Sequence, residues 1–81
     1  MTEKKLLKRI ELNSRVLLGK PVIKGTRISV EMILSKLSKS ISPQELLREY
    51  PRLKLEDIQA AVAYAAESLS SEEIMLLEDK A

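Results

Sequence analysis

Cysteine, histidine, phenylalanine and tryptophan are all missing from this chain, and glycine occurs only twice. Without cysteine there can be no disulfide and no thiolate metal site. With histidine gone as well, catalysis is left with serine, lysine, tyrosine and carboxylates, a poor set, and no enzyme, cofactor or metal is expected. No apolar run approaches the roughly 20 residues of a membrane span. The start, Met1-Thr2-Glu3-Lys4-Lys5-Leu6-Leu7, lacks the apolar core of a signal peptide, so a cytoplasmic protein is expected. A chain of 81 residues allows one domain, residues 1–81. A domain this small buries only about 60% of its unfolded surface, which makes a homodimer interface the expected extra source of stability.

The net charge of +2 conceals an asymmetry. Residues 1–27 hold eight basic side chains against two acidic ones, and residues 28–81 hold six against ten. A basic arm ahead of an acidic body points to contact with a polyanion, although a solvated, lysine-rich terminus explains the same excess.

Turn and strand signals dominate residues 1–28. Leu7 to Leu12 partly alternates, Asn13-Ser14 favours a turn, and Gly19-Lys20-Pro21 and Gly25-Thr26 are further breaks around Val22-Ile23. Pro21 cannot donate a ladder hydrogen bond, so any strand is short or at an edge. The expectation is an irregular ribbon or hairpin, with both glycines at positive φ.

The rest reads as helix. Ser29 is a candidate N-cap, with Ile28 and Ile33 as a hydrophobic staple, and predicts a first helix over 30–39. Ser42-Pro43-Gln44-Glu45 combines a cap, a proline at the first helical position and a capping-box glutamate, with Ile41 and Leu46 as a second staple. This helix covers 43–49 and stops before Pro51. A third helix covers 55–68, with Leu55, Ile58, Val62, Ala65, Ala66 and Leu69 as its apolar stripe. After Ser70-Ser71, a short C-terminal helix is expected over 70–81. Its Ile74, Met75, Leu76 and Leu77 cannot all hide on one face and are candidates, with Tyr64, for binding a partner protein.

Three helices with a short middle one form the skeleton of a helix-turn-helix unit, and equally of any small bundle. The fold class is therefore mainly α: a three-helix, helix-turn-helix-like DNA-binding bundle with an N-terminal β-ribbon and a C-terminal helix. The third helix would then enter the major groove, yet it begins Leu55-Glu56-Asp57-Ile58-Gln59 and contains no lysine or arginine. Only Gln59 suits base readout. Phosphate contacts fall to Arg52 and Lys54 in the preceding turn and to Lys20, Lys24 and Arg27 in the ribbon. Arg27 has a competing structural role, pairing with Glu31 or another carboxylate. The run from Gly19 to Ile28 is not a phosphate loop, because its glycine spacing is wrong and no Gly-Lys-Ser/Thr precedes a helix. The pairs Glu56/Asp57, Glu72/Glu73 and Glu78/Asp79 are sequence neighbours that do not share a helix face; they read as solvated or dipole-favouring charges.

The string Gly19-Lys20-Pro21-Val22-Ile23-Lys24-Gly25-Thr26-Arg27-Ile28-Ser29-Val30, followed by Ile41-Ser42-Pro43-Gln44-Glu45-Leu46-Leu47, Tyr50-Pro51-Arg52-Leu53 and Glu56-Asp57-Ile58-Gln59-Ala60-Ala61, resembles the domain-of-unknown-function family four hundred and thirty-three. That family includes VapB-type antitoxins. The resemblance covers about residues 8 to 68. It implies a DNA-binding domain that represses its own promoter and inhibits a PIN-type ribonuclease toxin. Two positions depart from the family pattern. Ser40 stands where glycine is common, which predicts a helix end without its favoured left-handed cap. Lys54 stands where serine or threonine is common, which removes a side-chain N-cap. A protein–protein inhibitor or adaptor without DNA affinity is the alternative.

Overall fold

The computed structural model describes residues 2–70. Among the described residues, four α-helices accompany a two-stranded hairpin: α1 (Glu3–Leu7), β1 (Ile10–Leu12), β2 (Pro21–Ile23), α2 (Val30–Ser38), α3 (Pro43–Glu49) and α4 (Leu55–Leu69). The strands are antiparallel, with Ile10 opposite Ile23 and Leu12 opposite Pro21. Pro21 sits at the first position of its strand, where a missing donor is tolerated.

Helix α1 differs from the expected ribbon. Thr2 caps it by accepting the Lys5 N–H at 3.3 Å, and its half-buried Leu6 and Leu7 follow from packing on α4. A five-residue helix is too short to announce itself by periodicity and exists because α4 offers it an apolar surface. The hairpin itself is as expected.

The two capping signals set α2 and α3. Ser29 Oγ accepts the Met32 N–H at 3.0 Å, and Ser42 Oγ accepts the Glu45 N–H at 3.2 Å. Ile33 and Leu46, the inner members of the staples, are fully buried. They pack with Ile23, Val30, Leu53, Ile58 and Ala61 into one core, so hairpin and helices share it.

Helix α2 ends in a left-handed cap despite the absence of glycine. Ser40 has a φ of 69°. Its N–H donates to Leu37 O at 3.1 Å, and the Ile41 N–H donates to Lys36 O at 3.3 Å. Those two bonds define a Schellman motif. A residue with a Cβ pays roughly 1 kcal/mol or more to stay left-handed. Ser40→Gly is accordingly expected to stabilise the fold by about 0.5–1 kcal/mol, read as a raised urea midpoint with an unchanged slope. A lowered midpoint would show that the serine hydroxyl, rather than the backbone cap, holds this turn.

Helix α4 has no side-chain N-cap on Lys54, as the departure at that position predicts. Asp57 compensates from within the helix. Its Oδ2 accepts the Lys54 N–H at 2.9 Å, and its Oδ1 accepts Arg9 Nη1 at 3.0 Å. Asp57 is therefore not a solvated charge, as its adjacency to Glu56 suggested. It is buried, and it fastens α4 to the segment between α1 and β1.

The apolar stripe of α4 is also corrected. The buried face is Asp57, Ile58, Ala60 and Ala61. Leu55, Val62 and Leu69 are 48%, 49% and 57% exposed on the opposite side, with Ala66. Both faces are apolar, and the small alanines face inward because α1 and α2 approach there.

Candidate nucleic-acid interface

Two loops carry the basic residues that sequence reasoning singled out. The first follows β2. A tight turn brings the Thr26 N–H to Ile23 O at 3.1 Å, with Gly25 at φ 77°, a conformation open to glycine without strain. Thr26 Oγ1 donates to Ile23 O at 2.8 Å and accepts the Ile28 N–H at 3.0 Å. The Lys24 N–H donates to Arg9 O at 2.8 Å. The backbone is thus pinned from three sides while Lys24 and Arg27 point to solvent.

The second loop joins α3 to α4. Leu53 is 5% exposed and plugs the core, and its N–H donates to Tyr50 O at 2.9 Å. Anchoring Leu53 leaves its neighbours Arg52 and Lys54 outside, both exposed.

The fold brings these loops together. Arg27 and Arg52 line one open depression of about 410 Å³ with Glu11, Val16, Gly25 and Thr26. The two guanidinium-bearing residues are 25 positions apart in the chain, so the juxtaposition is purely tertiary. Lys24 directly precedes the lining residue Gly25, and Lys54 lies two residues beyond Arg52. Among the described residues, none of these four cations has an ion-pair partner. Glu11, which sequence reasoning did not single out, reduces the positive potential on one side.

Other basic residues are committed elsewhere. Lys20 pairs with Glu31 at 3.3 Å, so it is Lys20 rather than Arg27 that answers this carboxylate. Both partners are well exposed, and such a pair contributes about 0–1 kcal/mol. Lys36 pairs with Glu49 at 3.0 Å and lies 5.7 Å from the centre of the Tyr50 ring. The hydrogen bond that the Lys36 ammonium donates to the Glu49 carboxylate raises the Lys36 pKa above its ordinary value. Lys20 and Gln59 are exposed but do not line the depression.

Tyr64 is half-buried against the core. It lines an open apolar groove of about 540 Å³ between α2 and α4, with Pro21, Val30, Leu34, Ala65 and Leu69. The remaining partner-binding candidates, Ile74, Met75, Leu76 and Leu77, lie outside the described residues, as does the expected C-terminal helix. Among the described residues no group of acidic side chains is arranged to hold a metal, and no helix is long and apolar enough to cross a membrane.

A small mainly helical domain with an N-terminal hairpin and a two-loop basic surface is the class these features define. The chain belongs to the family described as Protein of unknown function (DUF433), whose model matches residues 10–65. That span takes in the hairpin, α2, α3 and most of α4, and so includes both basic loops. No curated protein and no solved structure gave a significant match.

Proposed function

We propose that this chain is an antitoxin-like, helix-turn-helix-type regulator of the cytoplasm that binds DNA and neutralises a PIN-type ribonuclease. The observation that carries the DNA reading is the meeting of Arg27 and Arg52 at one depression, both without an acidic partner among the described residues. Lys24 and Lys54 nearby add to the field, and the hydrogen-bonded loop backbones reduce the cost of ordering the loops on binding. Arginine suits phosphate because its planar fork bonds two oxygens at once. In this reading the loops flanking α2 and α4 contact the duplex, and α4 does not enter the major groove as a basic recognition helix. The antitoxin role rests on the resemblance within the family.

The uncharged outer face of α4 favours a second reading, a protein–protein inhibitor or adaptor without DNA affinity. Binding of the full chain to a mixed-sequence DNA duplex at several salt concentrations separates the two. The expected result is a straight fall of log affinity with log salt. Arg27→Gln and Arg52→Gln together should flatten that slope by about two units, close to 0.9 for each lost phosphate contact. Thermal stability should hardly change, since both side chains are exposed. No binding at low salt, or a slope indifferent to the two arginines, would leave the adaptor reading.

A further inference from the structure

The open groove between α2 and α4 is lined by Val30, Leu34, Tyr64 and Leu69, and its serines, Ser35 and Ser68, are exposed. Its carboxylate, Glu31, is paired with Lys20. Apolar surface bordered by polar side chains marks a place where something docks.

The chain leaves α4 at this groove. Ser68 and Leu69, the last two residues of the helix, both line it. The Ser70 N–H donates to Glu67 O at 3.4 Å, and Ser70 Oγ donates to the same oxygen at 2.8 Å. Both bonds reach three residues back rather than four, a tightening that closes a helix end. Residues 71–81 lie outside the described residues, and their sequence follows directly: Ser71-Glu72-Glu73, Ile74-Met75-Leu76-Leu77, then Glu78-Asp79. Three polar residues reach roughly 10 Å, enough to reverse direction past a helix end. The four apolar residues cover about 6 Å if helical and about 13 Å if extended. The side of the groove along α4, from Tyr64 to Leu69, is about 7.5 Å long.

We propose that Ile74-Met75-Leu76-Leu77 turn back and occupy the groove between α2 and α4 of their own chain. Tethering decides the occupant. A segment joined to the edge of the groove by three residues sits there at an effective concentration on the order of millimolar, above that of a free partner or a second copy at micromolar levels. Closing the apolar run on the apolar groove removes both from water at once. The seat holds the same four side chains that the sequence offers to a partner protein, so such a partner must displace them. The inference rests on the groove and the path of the chain, and neither DNA nor toxin binding enters it.

The chain has no cysteine, so introduced pairs report proximity without background. In the full chain, Ser35→Cys is combined in turn with Ile74→Cys, Met75→Cys, Leu76→Cys and Leu77→Cys. At low micromolar protein at least one pair is expected to form a disulfide within the chain. Its rate should exceed by more than about tenfold that of the same cysteine paired with Ala66→Cys, which is near Ser70 in sequence but exposed on the opposite side of α4. Ile74→Ser, Met75→Ser, Leu76→Ser and Leu77→Ser together should keep a cooperative urea transition and raise the fluorescence of an anilinonaphthalene sulfonate dye severalfold, because the groove is opened. Equal rates at Ser35 and Ala66, disulfides that form only between chains, or dye binding unchanged in the serine variant would each overturn the proposal.

Discussion

Asp57→Ala is expected to destabilise the fold by about 3 kcal/mol, a loss that should shift the urea midpoint far down. The side chain is 7% exposed and uses both oxygens, one on the Arg9 guanidinium and one on the Lys54 N–H. Loss of an N-terminal helix cap costs typically about 1 kcal/mol. Loss of a charged, mostly buried hydrogen bond costs about 1.5–3 kcal/mol more. Arg9, itself 30% exposed, can turn toward water, which keeps the total at the lower end of what breaking a buried ion pair costs. Asp57→Asn separates the two contributions. Its amide oxygen can still accept the Lys54 N–H, but its NH2 then faces the Arg9 guanidinium and cannot accept from it, so the cap is kept while the charge and the Arg9 hydrogen bond are lost, and the expected loss is about 2 kcal/mol. A double-mutant cycle with Arg9→Gln should return a coupling energy within about 0.5–3 kcal/mol. Zero coupling would mean that Asp57 acts through the helix end alone.

Leu46→Ala is expected to cost about 3 kcal/mol as well, by a different mechanism. Leu46 is fully buried and lies in the core with Ile23, Val30, Ile33, Leu53, Ile58 and Ala61. Truncating a leucine there removes transfer free energy and leaves a void, together about 2–5 kcal/mol. A chain this short has roughly 4–12 kcal/mol of stability in total, so the variant keeps only part of it. Leu46→Met conserves volume and should cost less than about 1.5 kcal/mol. Urea unfolding by circular dichroism measures both. A loss under about 1 kcal/mol for Leu46→Ala would mean that α3 packs less tightly than its burial indicates.

The caps of α2 and α3 are legible in the chain because each involves partners three residues apart: Ser29 with the Met32 N–H, Ser42 with the Glu45 N–H. The same holds for the turn at Gly25 and for the proline at the head of α3. These interactions form within one turn of backbone, so residue type and spacing suffice to specify them. Family membership was readable for the same reason, since the Gly-Lys-Pro run is contiguous.

What only the tertiary structure decided is everything that depends on distant partners. Asp57 meets Arg9 across 48 positions, and its local bond to the Lys54 N–H three residues back says nothing of that distant partner or of its burial. Arg27 and Arg52 meet because Leu53 and Ile23 are drawn into one core, carrying their loops along. Helix α4 is the sharpest case. It has two apolar faces, and periodicity reports that each exists without saying which one the core takes. That choice fell to packing: alanines let α1 and α2 come close, while Leu55, Val62 and Leu69 were left outside.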